Sequence, residues 1–307
     1  MKALFTPAIK LINMMRYAYK FTLISFLFYI PLFVTSYMIV DVAYKSILAA
    51  DHKSQGVEII GHILKIKQHA AYNRDYHIAA SIYRDQEFLS KESRNRARVN
   101  DAIFEMQSSK LSLLNNEVLI EQQEVLLALA KKLASDQASH AQDPKSLFED
   151  NNALIENLEI FYSLVIEASG LSTESDSLVV GTLGLMSGDL FTLNSLSGKA
   201  RAGAAFGMTF DYPPSLTFDF IDFVFIELDK LKPVIEKSSL AVVPENHRLG
   251  VKNEYETMIA GIVEIANYLD FNILTASSYD IPINKVLDDL SLHVDAQYDY
   301  MNKVLGL

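Results

Sequence analysis

Residues 197–207, SGKARAGAAFG, combine glycines with a lysine and an arginine, which are the residue types that bind phosphate groups. A Walker A loop requires Gly, four further residues and then Gly-Lys-Ser/Thr, but here Leu193 stands at the first position and Ala200 follows the lysine. The dinucleotide pattern Gly-x-Gly-x-x-Gly is also absent. Small residues instead recur at helical spacing, as Gly203 and Gly207 do, which predicts a close crossing of two helices rather than a phosphate loop.

The histidine and serine patterns indicate neither a metal site nor a catalytic site. His62, His69 and His77 follow one another at intervals of seven and eight residues, roughly on one face of a helix. A metal site on a helix requires histidines four residues apart beside a carboxylate. The chain has no cysteine, which excludes thiolate catalysis, Cys-type zinc sites and disulfides, and no Gly-x-Ser-x-Gly elbow occurs. We therefore predict a binding protein, not an enzyme, with no catalytic residues, metal or cofactor.

The composition excludes nucleic acid as a partner and favours long helices. The formal net charge of the 307 residues is −11, although residues 1–20 carry four cations and no acid. An acidic body would repel a phosphate backbone. Only 12 glycines and 8 prolines occur, so residues that break helices are sparse.

Residues 21–40 form an apolar segment without a single charge. As a helix this segment would be about 30 Å long, the thickness of the hydrocarbon core of a bilayer. Cations precede it and an acidic body follows it, so the positive-inside rule predicts a cytoplasmic N-terminus and a body outside the cytoplasm. A cleaved signal peptide is the alternative, but the apolar stretch is too long and no small-x-small cleavage site closely follows Val40.

The rest of the chain shows helical periodicity throughout and no hairpin signals. Neighbouring apolar stripes on one helix indicate contacts with two other helices, as in a bundle. We predict an all-α fold, an elongated helical bundle on a single N-terminal transmembrane helix, with 1–20 as a basic cytoplasmic N-terminus, 21–40 as the span and 41–307 as the bundle. The predicted helices are 42 to about 88, 96–139, 144–168, 177–205, one that starts at Ser215, 247–276 and 282–305; the one from Ser215 also alternates like a strand at its start.

Three stretches resemble bacterial methyl-accepting chemotaxis proteins. The N-terminal run TPAIKLINMMRYAYKFTLISFLFYIPL (6–32) is similar to the start of that family. The stretch KSQGVEIIGHILKIKQHAAYNRD resembles the first helix of the family's sensor domain, and an Asp-Ser dipeptide before a helix with GKARAG resembles a second landmark. The matching positions are Pro7, Ala8, Ile9, Lys10, Leu11, Asn13, Tyr17, Lys20, Phe21, Pro31, Gly56, Glu58, Leu64, His69, Arg74, Asp176, Ser177, Gly198, Ala200, Arg201 and Gly203.

The resemblance implies the sensory region of a chemoreceptor in the bacterial inner membrane, with a periplasmic bundle that forms a homodimer. It would bind a small molecule, or a binding protein loaded with one. For an anionic ligand, Arg74 and Arg201 are the expected carboxylate clamps, with His69 and Tyr72 lining the pocket.

The resemblance also implies a second span, a HAMP linker and a cytoplasmic signalling module beyond residue 307, unless the protein is truncated and lacks a signalling half. Related sensor bundles also precede diguanylate cyclase modules, which is one alternative. A membrane-anchored structural scaffold with no small ligand is the other.

Overall fold

The computed structural model describes residues 14, 16–109, 111–135, 144–208, 215–243, 245–276, 279 and 281–306. Over these ranges the chain is almost entirely helical and contains no strand, so the predicted all-α fold is confirmed. The strand-like alternation after Ser215 is part of a helix. Residues 1–13 and 15 of the predicted basic N-terminus, and residues 136–139 of the predicted helix 96–139, lie outside the described residues.

Nine α-helices account for most of the described residues. Two of the four short helical segments, Met186–Leu190 and Asp270–Leu274, directly adjoin the end of a longer helix. The α-helices are α1 Tyr17–Tyr83, α2 Gln86–Ser108, α3 Glu117–Ser135, α4 Pro144–Ala168, α5 Ser177–Leu185, α6 Phe191–Gly207, α7 Ser215–Val242, α8 Glu245–Leu269 and α9 Ile283–Leu305.

Two predicted helix boundaries are wrong. Helix α1 ends at Tyr83 rather than near 88, because Arg84 takes a left-handed backbone conformation (φ 52°) and the Asp85 side chain caps α2. Up to Ser135, the predicted helix 96–139 is two helices separated by a 3-10 turn at Ser112–Asn115, and the first of them begins at Gln86 rather than at 96. A glutamine on α1, Gln55, accepts a hydrogen bond of 2.9 Å from the backbone N–H of Leu113, which stabilises this break.

Two π-helical segments interrupt the regular winding of the bundle helices. Met186–Leu190 joins α5 directly to α6, and Asp270–Leu274 extends α8. In the first segment the Asp189 carboxylate accepts a hydrogen bond from the Ser238 hydroxyl on α7. This contact ties the irregular turn to the neighbouring helix.

The chain divides into two compact units, residues 1–51 and 52–307. The apolar side chains described within 21–40 are exposed, for example Phe33 at 77%. Among the described residues, two helical stretches are long and apolar enough to cross a membrane: one is in α1, and the other is Gly250–Leu274. A third of the second stretch is buried inside the protein, where residues such as Ile265 contribute to the core.

The second unit contains two sets of four helices. In one set, α6, α7, α8 and α9 pack in a closed ring, each against its two neighbours. In the other, α2 packs on α3 and α3 on α4, while 52–83 of α1 contacts both α2 and α4 through the ion pairs Lys65–Glu105 and Lys67–Glu159. The two sets meet where Gln68 and Tyr72 of α1 donate hydrogen bonds to Asp295 of α9.

Candidate anion-binding site

Two arginines from different helices meet one carboxylate in the interior of the second unit. Arg74 Nε lies 2.8 Å from Asp75 Oδ1, both on α1, and Arg201 Nη1 of α6 lies 3.3 Å from Asp75 Oδ2. The side chains of Asp75 and Arg201 are completely buried and that of Arg74 is 3% exposed. The structure thus brings together the two arginines that the sequence analysis selected.

The guanidinium of Arg201 is buried with its hydrogen-bonding capacity unused. None of its three nitrogens has a hydrogen-bond acceptor among the described residues, and its contact with Asp75 lacks the alignment of a hydrogen bond. Asp75 Oδ2 and Arg74 Nη2 are equally without hydrogen-bond partners over the described ranges. Because a buried polar group without a partner costs free energy, such a cluster is suited to bind a further polar group.

Aromatic rings enclose Arg201. Its guanidinium carbon lies 4.2 Å from the ring centroid of Tyr72 and 5.7 Å from that of Tyr76. The Tyr72 hydroxyl points away, donating to Asp295 and to the backbone carbonyl of Ser291. Burial raises the pKa of Tyr72, an effect that the positive charge of Arg201 partly opposes. The ring of Tyr72 therefore lies against the guanidinium of Arg201, and its role in lining a ligand pocket stays a prediction.

Arg74 is held more firmly than Arg201. Besides the bond to Asp75, its Nη1 donates to Asn152 of α4 at 3.1 Å, and its guanidinium carbon lies 5.0 Å from the ring centroid of Phe148. A side chain at Gly198 would overlap Arg74 Nη2. The glycine of the GKARAG stretch therefore makes room for the arginine of α1.

The other glycines of that stretch face a different helix. A Cβ atom at Gly203 would lie 3.1 Å from Phe220, and one at Gly207 would lie 3.2 Å from Ile221, both on α7. This agrees with the predicted close helix crossing. Residues 191–207 are helical, so the stretch forms no phosphate loop.

A second buried cation lies on the same helix as Arg74. Lys67 Nζ donates to Glu159 Oε1 at 2.6 Å and sits 3.7 Å from the ring centroid of Phe191. Burial lowers the pKa of Lys67 to about 8, against the opposing effect of Glu159. Tyr298 is also completely buried, and burial raises the pKa of its hydroxyl. The charges of four neighbouring residues also act on this hydroxyl: Arg74, Glu159, Arg201 and Asp75.

His69 does not share this cluster. Its ring faces Asn95 and Arg98 of α2, and burial, followed by the charges of Arg98 and Lys65, lowers its pKa. Arg74 follows His69 by five positions, which turn the helix by about 140° beyond a full turn, so the two side chains leave α1 in different directions. The expectation that His69 lines the pocket with the arginines therefore does not agree with its position.

The sequence analysis did not select Asp75, Lys67, Tyr76 or Tyr298. Asp75 could have been selected as a partner of Arg74, because it directly follows that residue in a helix whose neighbouring residues are buried. Lys67 gave a weaker signal, lying seven residues before Arg74 and hence on nearly the same helix face. Tyr298 is distant in sequence, and only the packing of α9 brings it to the site.

No group of three or more His, Asp or Glu side chains that could hold a metal ion is found among the described residues. What the cluster offers is a set of buried cationic hydrogen-bond donors with a single buried carboxylate between the arginines. Comparison with known proteins finds no matching family model, no matching curated protein and no matching solved structure.

Proposed function

We propose that this chain is the sensory region of a membrane-anchored bacterial signalling receptor of the chemoreceptor type, and that it binds a small anion between Arg74 and Arg201. The observation that carries the proposal is the fully buried Arg201 guanidinium, whose three nitrogens have no hydrogen-bond acceptor in the part of the chain that the structure describes.

The charges in the cluster support an anionic ligand. Arg74 and Arg201 share the single carboxylate of Asp75, while Lys67 has its own partner in Glu159. Among the described residues one buried positive charge is thus left over, and an uncompensated buried charge is strongly unfavourable. An anion with planar oxygens suits the fork of donors that a guanidinium presents.

The burial of the site limits the size of the ligand. Arg201, Asp75 and Tyr298 are fully buried, and Gly198 lies directly against Arg74. The ligand that we propose therefore has only a few non-hydrogen atoms, as a short carboxylate or an inorganic oxyanion does. A large anion would require the helices to separate.

The position of the two arginines supports a role in signalling. Arg74 lies on α1, the helix that also contains the apolar segment 21–40, whereas Arg201 lies on α6. An anion bound to both would change the attraction between these helices, and a displacement of α1 is a simple output. Free energy differences of about 1–3 kcal/mol are sufficient for such coupling.

The proposed topology follows from the charge distribution around 21–40. The basic N-terminus lies in the cytoplasm, this segment is the single span in the chain, and the body lies in the periplasm as a homodimer. The second apolar stretch, Gly250–Leu274, is assigned to the bundle because it packs against α7 and α9. The family resemblance adds a cytoplasmic signalling module beyond residue 307.

The proposal is tested by thermal unfolding of the full chain in detergent, with sodium acetate, formate, nitrate and chloride compared at equal ionic strength. A ligand at a hundredfold excess over its Kd stabilises the folded state by about 2.7 kcal/mol. We expect at least one planar anion to raise the melting temperature relative to chloride. Arg201→Ala and Arg74→Ala should abolish this response.

The matched control is Lys199→Ala, which removes a cation from the same helix as Arg201 and should leave the response intact. If Arg201→Ala does not fold, Arg201→Lys keeps the charge and removes only the fork of donors. A response that survives both arginine substitutions would contradict the proposed site. No response to any anion would favour the structural scaffold.

A further inference from the structure

We infer that Asp75 is the resident counter-ion of the site, occupying on Arg201 the place that a bound anion takes over. This rests on the proposed function, since it concerns how the same site receives its ligand. Asp75 is the one carboxylate that both arginines contact within the described residues.

The two contacts of Asp75 differ in strength. Its Oδ1 accepts a hydrogen bond of 2.8 Å from Arg74 Nε, and Arg74 has a second acceptor in Asn152. Its Oδ2 faces Arg201 Nη1 at 3.3 Å without the geometry of a hydrogen bond. Arg201 is therefore the partner that can leave, while Arg74 and Asp75 stay together on α1.

The charges around Asp75 make it a competitor of the ligand. A bound anion at Arg201 would lie close to the Asp75 carboxylate, and the two negative charges would repel each other in an interior of low dielectric constant. The other acids near the site have partners of their own: Glu159 is paired with Lys67, Asp295 accepts a hydrogen bond from Tyr72, and Asp288 is paired with Lys91. Asp75 therefore sets the affinity of the site.

The exchange also gives the site a mechanical consequence. In the ligand-free protein, the Asp75–Arg201 contact is an attraction between α1 and α6. When an anion takes Arg201, this direct contact is replaced by one that includes the ligand. The repulsion between Asp75 and the bound anion lowers the affinity for the anion. The same exchange of partners on Arg201 is what makes the ligand-free and the ligand-bound states differ.

The test compares Asp75→Asn with the wild type, using the full chain in detergent and sodium acetate and sodium formate as probes. The amide is nearly isosteric but uncharged, so the variant holds two buried arginines without a counter-ion. Without added anion it should melt at a lower temperature than the wild type. Its melting temperature should then rise more steeply, with half-saturation at a concentration lower by roughly tenfold or more.

The matched control is Glu92→Gln, because Glu92 is also a carboxylate with 2% exposure and an arginine partner, Arg96, but lies on α2. It should lower the stability and leave the acetate and formate dependence unchanged. Half-saturation in Asp75→Asn at the wild-type concentration or above would overturn the inference.

A measurement on the wild type covers the case in which Asp75→Asn does not fold. In ¹⁵N NMR spectra of the guanidinium groups, acetate should shift the Arg201 Nε resonance, identified by its loss in Arg201→Lys, and shift that of Arg74 less. Arg74 Nε keeps its hydrogen bond to Asp75, while its Nη2, which has no hydrogen-bond partner among the described residues, faces the anion. An Arg201 resonance that does not move would overturn the inference.

The two proposals can fail separately. An anion response that persists in Arg201→Ala contradicts the proposed function. A response that depends on Arg201 but is no tighter in Asp75→Asn contradicts only the role of Asp75.

Discussion

Replacing Lys67 by methionine should not lower the free energy of unfolding, although the substitution removes a buried ion pair. Burial lowers the pKa of Lys67 from 10.5 to about 8, even with Glu159 beside it. Each pKa unit corresponds to 1.36 kcal/mol, so holding the ammonium in this position costs about 3 kcal/mol at neutral pH. Methionine keeps the contact with the Phe191 ring, and Glu159, at 38% exposure, remains hydrated.

The expected result is a free energy of unfolding at pH 7 equal to that of the wild type or higher by up to about 3 kcal/mol. The pH dependence gives a second signature. Between pH 8 and 10.5, the unfolded state of the wild type binds more protons at this position than the folded state does, so the wild type gains stability as the pH rises. Lys67→Met lacks this contribution. The difference in the free energy of unfolding between Lys67→Met and the wild type should therefore shrink as the pH rises from 8 to 10.5.

Urea unfolding at several pH values measures both effects. Lys65→Met is the matched control, because Lys65 pairs with Glu105 and both side chains are about half exposed. Loss of such a surface pair should change the free energy of unfolding by less than about 1 kcal/mol. A loss of more than about 2 kcal/mol in Lys67→Met at pH 7 would refute the reasoning, since the ion pair would then outweigh the cost of burial.

Two further predictions concern α1. Gly56→Ala should lower the free energy of unfolding by about 1–3 kcal/mol, because the new Cβ would lie 2.6 Å from Ser169 Cβ, just after the end of α4. The control is Gly61→Ala, because no atom lies within 4 Å of a Cβ at that position. Equal effects of the two substitutions in urea unfolding would contradict the close contact at Gly56. The folded-state pKa of His69 is lowered by burial, so the wild type should lose stability as the pH falls below 6.5. His69→Gln should lose less over that range, and parallel pH profiles for the two proteins would show that His69 does not contribute.

The fold class was predictable because helical periodicity depends on residues that are close together in the sequence. The start of α4 at Pro144 followed from the preference of proline for the first turn of a helix, and α5 begins at Ser177, where the predicted helix 177–205 begins. The break between α2 and α3 was not predictable in this way. It depends on a hydrogen bond from the backbone of Leu113 to Gln55, more than fifty residues earlier in the chain.

The candidate site was predictable in part for a similar reason. Arg74 and Arg201 were selected as the arginines of two short motifs, and their meeting at Asp75 required the packing of α1 against α6. His69 was selected from the same motif as Arg74, but motif membership does not determine the direction in which a side chain leaves a helix. Its position followed from contacts with α2 that no local pattern encodes.

The π-helical turn at Met186–Leu190 has a consequence for how this protein can vary. A π turn contains one residue more than an α turn, so it acts as a one-residue insertion absorbed inside a helix. Every residue after it is rotated by about 100° relative to an uninterrupted helix, and Arg201 and Gly198 are among them. Deleting one residue here would restore a regular helix while turning both away from α1. The length of this short segment is therefore as important to the site as the identity of its residues.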